Sequence, residues 1–165
     1  MNKARLGWRV AYLFASFGIY IVDQASKAWA QRALRFGDKR EIIDGVLTLV
    51  YAENRGVAFG QLQEGGAFGR WFLVILAAAA TLAVLVYFFR TPRSDDRILG
   101  ACALLLSGIV GNLTDRLRLG FVIDFIFAHY RSFEWPVFNV ADMSICAGAL
   151  LLALDLFLKG RNQSS

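Results

Sequence analysis

Charged and amide side chains stand inside or beside long apolar runs in this chain: Asp23 and Lys27, then Asn112, Asp115 and Arg116, then Asn139 and Asp142. An ionised Asp, Lys or Arg costs about 2.5–3.5 kcal/mol at the centre of a membrane-crossing helix, so such residues turn inward, find partners and by default mark function. Their spacing is helical. Asp23 and Lys27 are i, i+4 with the acid first, the better order for an ion pair. Gly108, Asn112 and Arg116 are i, i+4, i+8, Asp115 follows Asn112 by three, and Asn139 and Asp142 are i, i+3, so each set shares a helix face. A buried polar cluster follows, and the chemistry open to carboxylates in such a cluster is acid–base catalysis or proton relay.

Each member also has a structural reading. Asp23 with Lys27 serves as a buried pair joining helices, Asn112 as interhelical hydrogen-bond glue, Asp115 and Arg116 as markers of a helix end, and Asn139 as a helix cap with Asp142 in the first turn. Asp155 and Lys159, a further i, i+4 pair, read as purely structural. What the single readings leave unexplained is depth. At 1.5 Å per residue from Ile98, Asn112 lies roughly 21 Å and Asp115 roughly 25 Å along their helix, while Asn139 and Asp142 lie about 3–8 Å from Val137 where the next helix enters from the opposite side.

The elements that must position these groups are membrane spans. Of 165 residues, 57% are apolar and only 19% charged, unusual for a soluble fold. Trp71 to Phe89 is free of charge, and four spans are expected, at about 10–29, 71–89, 98–117 and 137–158, in a single domain over 1–165. An even number puts both termini on one side. Lys3, Arg5, Arg9, Arg90, Arg93, Arg97, Lys159 and Arg161 place that side in the cytoplasm, against a longer loop from about 30 to 70 whose six basic residues are diluted by five acidic ones. The polar cluster then sits towards the extracytoplasmic face. The first span is read as a retained helix although Ala28-Trp29-Ala30 has the form of a cleavage site, because Asp23 and Lys27 do not suit a signal sequence. The net charge of +5 follows from these flanks and points to anionic lipid, not nucleic acid.

Between the first two spans, Glu41 to Tyr51 reads as a hairpin with a two-residue Asp44-Gly45 turn, and Gly65-Gly66 precedes the next membrane entry. Phe121 to Phe125 is a candidate strand beside that hairpin, and the aromatics through Trp135 suit the headgroup region. Cys102 and Cys146 lie within spans and His129 reads as a loop residue, so neither a disulfide, a metal site nor a cofactor is expected. The fold class is an all-α membrane protein of four transmembrane helices with a small extracytoplasmic β element.

Five segments, in order, resemble the bacterial lipoprotein signal peptidases (signal peptidase II): Asp23-Gln24-Ala25-Ser26-Lys27, Asn54-Arg55-Gly56-Val57-Ala58-Phe59, Gly108 to Arg116, Val122-Ile123-Asp124-Phe125, and Phe138-Asn139-Val140-Ala141-Asp142. The resemblance implies an aspartic endopeptidase of the inner membrane that cleaves before the diacylglyceryl-modified lipobox cysteine of prolipoproteins. It implies Asp124 and Asp142 as the catalytic pair, and Asn54, Gly108, Asn112, Arg116 and Asn139 as the substrate site. Asp23, Lys27 and Asp115 are left to structural support. Inhibition by cyclic peptides of the globomycin type is likewise implied. Ser107 and Thr114 depart from the family's usual glycine and aliphatic residue, and neither touches the pair.

Two carboxyls held close share one proton, leaving a base to activate water and an acid to stabilise the oxyanion and protonate the leaving amine. Two rivals remain at this stage. A proton-coupled carrier requires a polar route onward to the cytoplasm, where Ala77 to Val86 and Cys102 to Leu106 offer almost nothing polar. A non-catalytic assembly protein requires that neutralising Asp124 or Asp142 either disturb folding or do nothing.

Overall fold

The computed structural model describes residues 3–56, 67–92 and 94–163. Its elements run α1 (Lys3–Ala33), β1 (Arg40–Ile43), β2 (Leu47–Asn54), α2 (Ala67–Arg90), α3 (Asp96–Arg118), β3 (Val122–Tyr130), β4 (Phe133–Glu134) and α4 (Val140–Gln163). Val57 to Phe59 of the second motif, Gly65-Gly66 and Arg93 lie outside the described residues.

The chain is largely helical, and α2, α3 and α4 are each long and apolar enough to cross a membrane. In α3, 61% of the apolar stretch is buried, against 11% in α2 and 22% in α4, so α3 is the central helix and α2 shows most of its surface outward. Helix α3 packs on all three other helices, most extensively on α4. That contact is close because it is made of small residues: a Cβ on Gly148 would stand 2.9 Å from the Ala101 carbonyl oxygen, and one on Gly108 would stand 2.6 Å from Ile145 Cγ1 and closer still to the Ala141 carbonyl oxygen. At the end remote from the sheet, Phe88, Ile98, Leu99 and Cys102 form an apolar core, and Lys159 pairs with Asp155 at 2.9 Å as the spacing predicts. Helix α1 is longest, but Asp23, Gln24, Ser26 and Lys27 lower its apolar character.

The sheet is larger than a hairpin. Four antiparallel strands lie in the order β1-β2-β3-β4. The hairpin turn differs from the expected one: Val46 N–H reaches Ile43 O at 3.0 Å, but pairing resumes at Ile43 and Leu47, leaving three residues between strands. Only Gly45 of these has positive φ (65°), whereas a tight two-residue type I′ turn needs positive φ at both central positions. The candidate strand at Phe121 to Phe125 forms with shifted bounds, starting at Val122 and running on to Tyr130. His129 therefore belongs to β3, not a loop; it stacks on Phe127 and its Nε2 lies 3.1 Å from Thr48 Oγ1.

Two junctions tie sheet to bundle. Helix α3 ends where Leu119 and Gly120 N–H groups return to Asp115 and Arg116 carbonyls, and Gly120, at φ 88°, turns the chain into β3. Arg70 of α2 donates to the Arg116 and Leu117 carbonyls at 2.9 and 2.7 Å, placing positive charge on that helix C-terminus. Helix α4 starts at Val140 rather than Val137, because Phe138 is held to the sheet through two-way backbone bonds with Ile126.

Candidate active site

Where the sheet meets the helices, β3 brings Asp124 beside the first turn of α4, which carries Asp142. Asn139 is the cap of that helix: its Oδ1 accepts the Asp142 N–H at 2.9 Å, while Asp142 Oδ2 accepts the Asn139 N–H at 3.2 Å, a reciprocal capping box. The same Asn139 donates through Nδ2 to Asp124 Oδ1 at 2.6 Å and to the Ile123 carbonyl at 3.2 Å. One asparagine thus links both aspartates. The second oxygen of Asp124 accepts from Asn54 Nδ2 (2.9 Å), whose own Oδ1 is fixed by the Gly56 N–H (2.9 Å); the second oxygen of Asp142 accepts from Asn112 Nδ2 (2.8 Å).

Beneath lies a charged layer. Lys27, 2% exposed, makes ion pairs of 3.0 Å with both Asp23 and Asp115 and donates to Asn112 Oδ1 at 2.9 Å. Asp23 accepts the Ala141 N–H, and Asp115 accepts the Ile123 N–H, so each acid also pins the backbone one residue before a site aspartate. Gln24 ties the layer together by donating to Asp23, Asp115 and the Gly111 carbonyl. Gly111 leaves the space for this, since a Cβ there would stand 2.6 Å from Asp23 Oδ2.

Burial raises the Asp124 carboxyl from its ordinary value of 3.8 to about 6; the charge of Asp142 adds to the rise, against the donors Asn54 and Asn139 and the charge of Lys27. A carboxyl in that range exchanges its proton near neutral pH. Arg116, half-buried, lies within electrostatic reach of Asp142, Asp124 and Asp115, and the described residues offer its guanidinium only the Asn112 carbonyl, at 3.4 Å. Arg116 and Asn112 also stand at the polar end of a cavity of about 260 Å³ whose other walls are Leu73, Leu76, Ala77, Ala80, Ile109 and Ile145. A larger cavity of about 480 Å³ lies at the opposite end of the bundle, but its Asp95, Asp155, Arg97 and Lys159 are paired among themselves.

The structure therefore gathers Asn54, Asn112, Asp124, Asn139, Asp142 and Arg116 in one place, with Asp23, Lys27 and Asp115 directly behind. Gly108 is different. It faces α4, where a Cβ would meet the Ala141 carbonyl oxygen and Ile145 Cγ1, one helical turn before Asn112. Sequence reasoning passed over Gln24 and Gly111, although both lie inside the matched segments; Gln24, one residue after an intramembrane Asp, was the available signal.

Two solved bacterial membrane enzymes have this fold: one superposes with a TM-score of 0.82 at 28% identity, covering 92% of this chain and 90% of that one, the other with 0.80 at 27%, covering 88% and 92%. The architecture is that of a bacterial membrane enzyme. Residues 15–158 match the signal peptidase (SPase) II family, and the chain belongs to it. Proteins named lipoprotein signal peptidase are 37% identical in Cellvibrio japonicus (89% of this chain, 86% of the relative), 39% in Pseudomonas syringae pv. tomato (95% and 91%) and 38% in Geobacter sulfurreducens (89% and 91%).

Proposed function

We propose that this protein is an aspartic lipoprotein signal peptidase, with Asp124 and Asp142 as its catalytic pair. The observation that carries the reading is the bridge through Asn139: two aspartates from separate matched segments share one amide, which keeps their carboxyls at one site. One carboxylate takes a proton from water, which attacks the scissile carbonyl. The other carboxyl donates to the developing oxyanion, and the proton then passes to the leaving amine. The pair, rather than either residue, sets the pH behaviour.

Arg116 and the amides of Asn54, Asn112 and Asn139 bind the substrate backbone; Gly108 contributes by close helix packing. The substrate is a prolipoprotein with diacylglycerol already on its lipobox cysteine, cut just before that residue. The apolar cleft leading away from Asn112 and Arg116 suits a chain that remains in the membrane. Cyclic peptides of the globomycin type would compete for the same place.

Residues 1–165 form one domain of the inner membrane with four spans. Helix α1 is the fourth: Phe14, Phe17, Ile21 and Val22 project an apolar stripe outward, and its polar residues turn into the bundle. Both termini are cytoplasmic and the site is near the extracytoplasmic face, as the basic flanks favour. In detergent micelles the purified protein should cut a diacylglyceryl-modified precursor before its cysteine, as read by mass spectrometry, and leave the unmodified precursor uncut. Equal cleavage of both would overturn the substrate assignment.

A further inference from the structure

We propose that Lys27 is a positioning residue for the hydrolytic pair and acts through Asn112, fixing which end of that amide meets Asp142. The inference rests on the catalytic reading of Asp124 and Asp142, and goes beyond structural support.

An asparagine amide fits its space almost equally well in two orientations, so its hydrogen bonds decide between them. Asn112 Oδ1 accepts from Lys27 Nζ at 2.9 Å and from Asn139 Nδ2 at 3.2 Å, and Nδ2 donates to Asp142 Oδ1 at 2.8 Å. Turned over, the NH₂ group would face an ammonium and another NH₂, and the carbonyl oxygen would face a carboxylate. The two errors coincide, and the ammonium makes the first of them severe.

Lys27 is itself aimed. An ammonium has three protons, and its three partners are Asp23, Asp115 and Asn112, all within 3.0 Å. Two acids on α1 and α3 hold the head group so that the third proton points at Asn112. A lysine that served only to neutralise the acids would have no need of that contact. The positive charge also polarises the Asn112 amide, which strengthens the donation from its far end. The charged groups facing this line are Asp23 from α1, Asp115 and Arg116 from α3, Asp142 from α4 and Asp124 from β3.

The test uses the full-length protein in micelles with a diacylglyceryl-modified precursor. Lys27→Met should lower kcat by roughly 10- to 100-fold, the value of one charge-assisted hydrogen bond, with KM changed less than about threefold. It should also move the acidic limb of the kcat profile up by about one pH unit. Lys27→Gln keeps an N–H donor and should recover at least about threefold in kcat over Lys27→Met. Ser144→Ala weakens the contact between α3 and α4 without touching Lys27, its two acids or Asn112, and should lower the melting temperature while leaving the limb in place. If Lys27→Met does not accumulate, Lys27→Gln is compared in the parent and in the Asn112→Ser background, which keeps both ion pairs: a Lys27→Gln loss in the parent that vanishes in the Asn112→Ser background supports the proposal. A Lys27→Gln loss that persists in the Asn112→Ser background, or a Lys27→Met loss that only tracks the amount of folded protein, overturns it. Cleavage retained by Asp124→Asn or Asp142→Asn would instead overturn the catalytic reading beneath.

Discussion

Replacing Gly108 by alanine adds one methyl group at the tightest point between α3 and α4. Its Cβ would stand 2.6 Å from Ile145 Cγ1 and nearer still to the Ala141 carbonyl oxygen. Carbon atoms settle at about 3.5–4.0 Å, so the helices must part by roughly 1 Å, and a backbone oxygen cannot swing aside as a side chain would. Overpacking of this kind costs about 1–3 kcal/mol. The larger effect is on geometry: Asn112 lies one turn from Gly108 and Asp142 follows Ala141, so the 2.8 Å bond between them lies directly across the forced opening. A displacement of about 1 Å in a reacting group costs on the order of 100-fold in rate. Cleavage of a lipidated precursor, measured beside a thermal melt, should show Gly108→Ala folded but slower by about that factor. Gly100→Ala, whose Cβ would meet only Tyr12 Cε1 at 3.8 Å, should match the parent. Parent-like turnover in Gly108→Ala would refute the account of how close helix packing builds the site.

Other outcomes follow from the same geometry. Because the Asp124 carboxyl is raised to about 6, its contribution to stability is present below about pH 4 and is lost as pH climbs through 6. Two units correspond to about 3 kcal/mol at most, so the melting temperature of Asp124→Asn minus that of the parent should rise between pH 4 and 7; a difference constant with pH would contradict the burial argument. Asn54→Ala removes one donor from Asp124 at an exposed position, and should leave the melt unchanged while lowering kcat by about 10- to 100-fold. Ser144→Ala loses its bonds to Ser107 and the Leu104 carbonyl and should cost about 0.5–1.5 kcal/mol per bond in a denaturation series without altering cleavage.

Helical spacing made the faces of α1, α3 and α4 legible, because a carboxylate or ammonium in an apolar run has few places to go. The pair Asp23 and Lys27, and the cap at Asn139 with Asp142 in the first turn, were readable for that reason. What remained hidden involved partners distant in sequence. Asp124 is in a strand whose neighbours give no sign that Asn139 and Asn54 will meet its two oxygens, and the link of Lys27 to Asn112 spans 85 positions. The sheet was partly legible in the hairpin and in the first residues of β3; the rest of β3 and β4 looked instead like an aromatic anchor, since Phe and Tyr suit both a strand and a headgroup layer. Gly108 enters the substrate site through the family resemblance alone; its packing against α4 was hidden because a glycine's contacts are set wholly by what approaches it. Asn139 shows the opposite case: the helix cap was legible, and the same side chain also reaches Asp124 on β3.

Cleavage of a diacylglyceryl-modified precursor by purified Asp124→Asn and Asp142→Asn, each checked for parent-like folding, tests the central claim most directly. Both variants should accumulate, melt cooperatively and leave the precursor uncut over times in which the parent converts it fully. Turnover at the parent rate by either folded variant would contradict the assignment of these two aspartates as the hydrolytic pair.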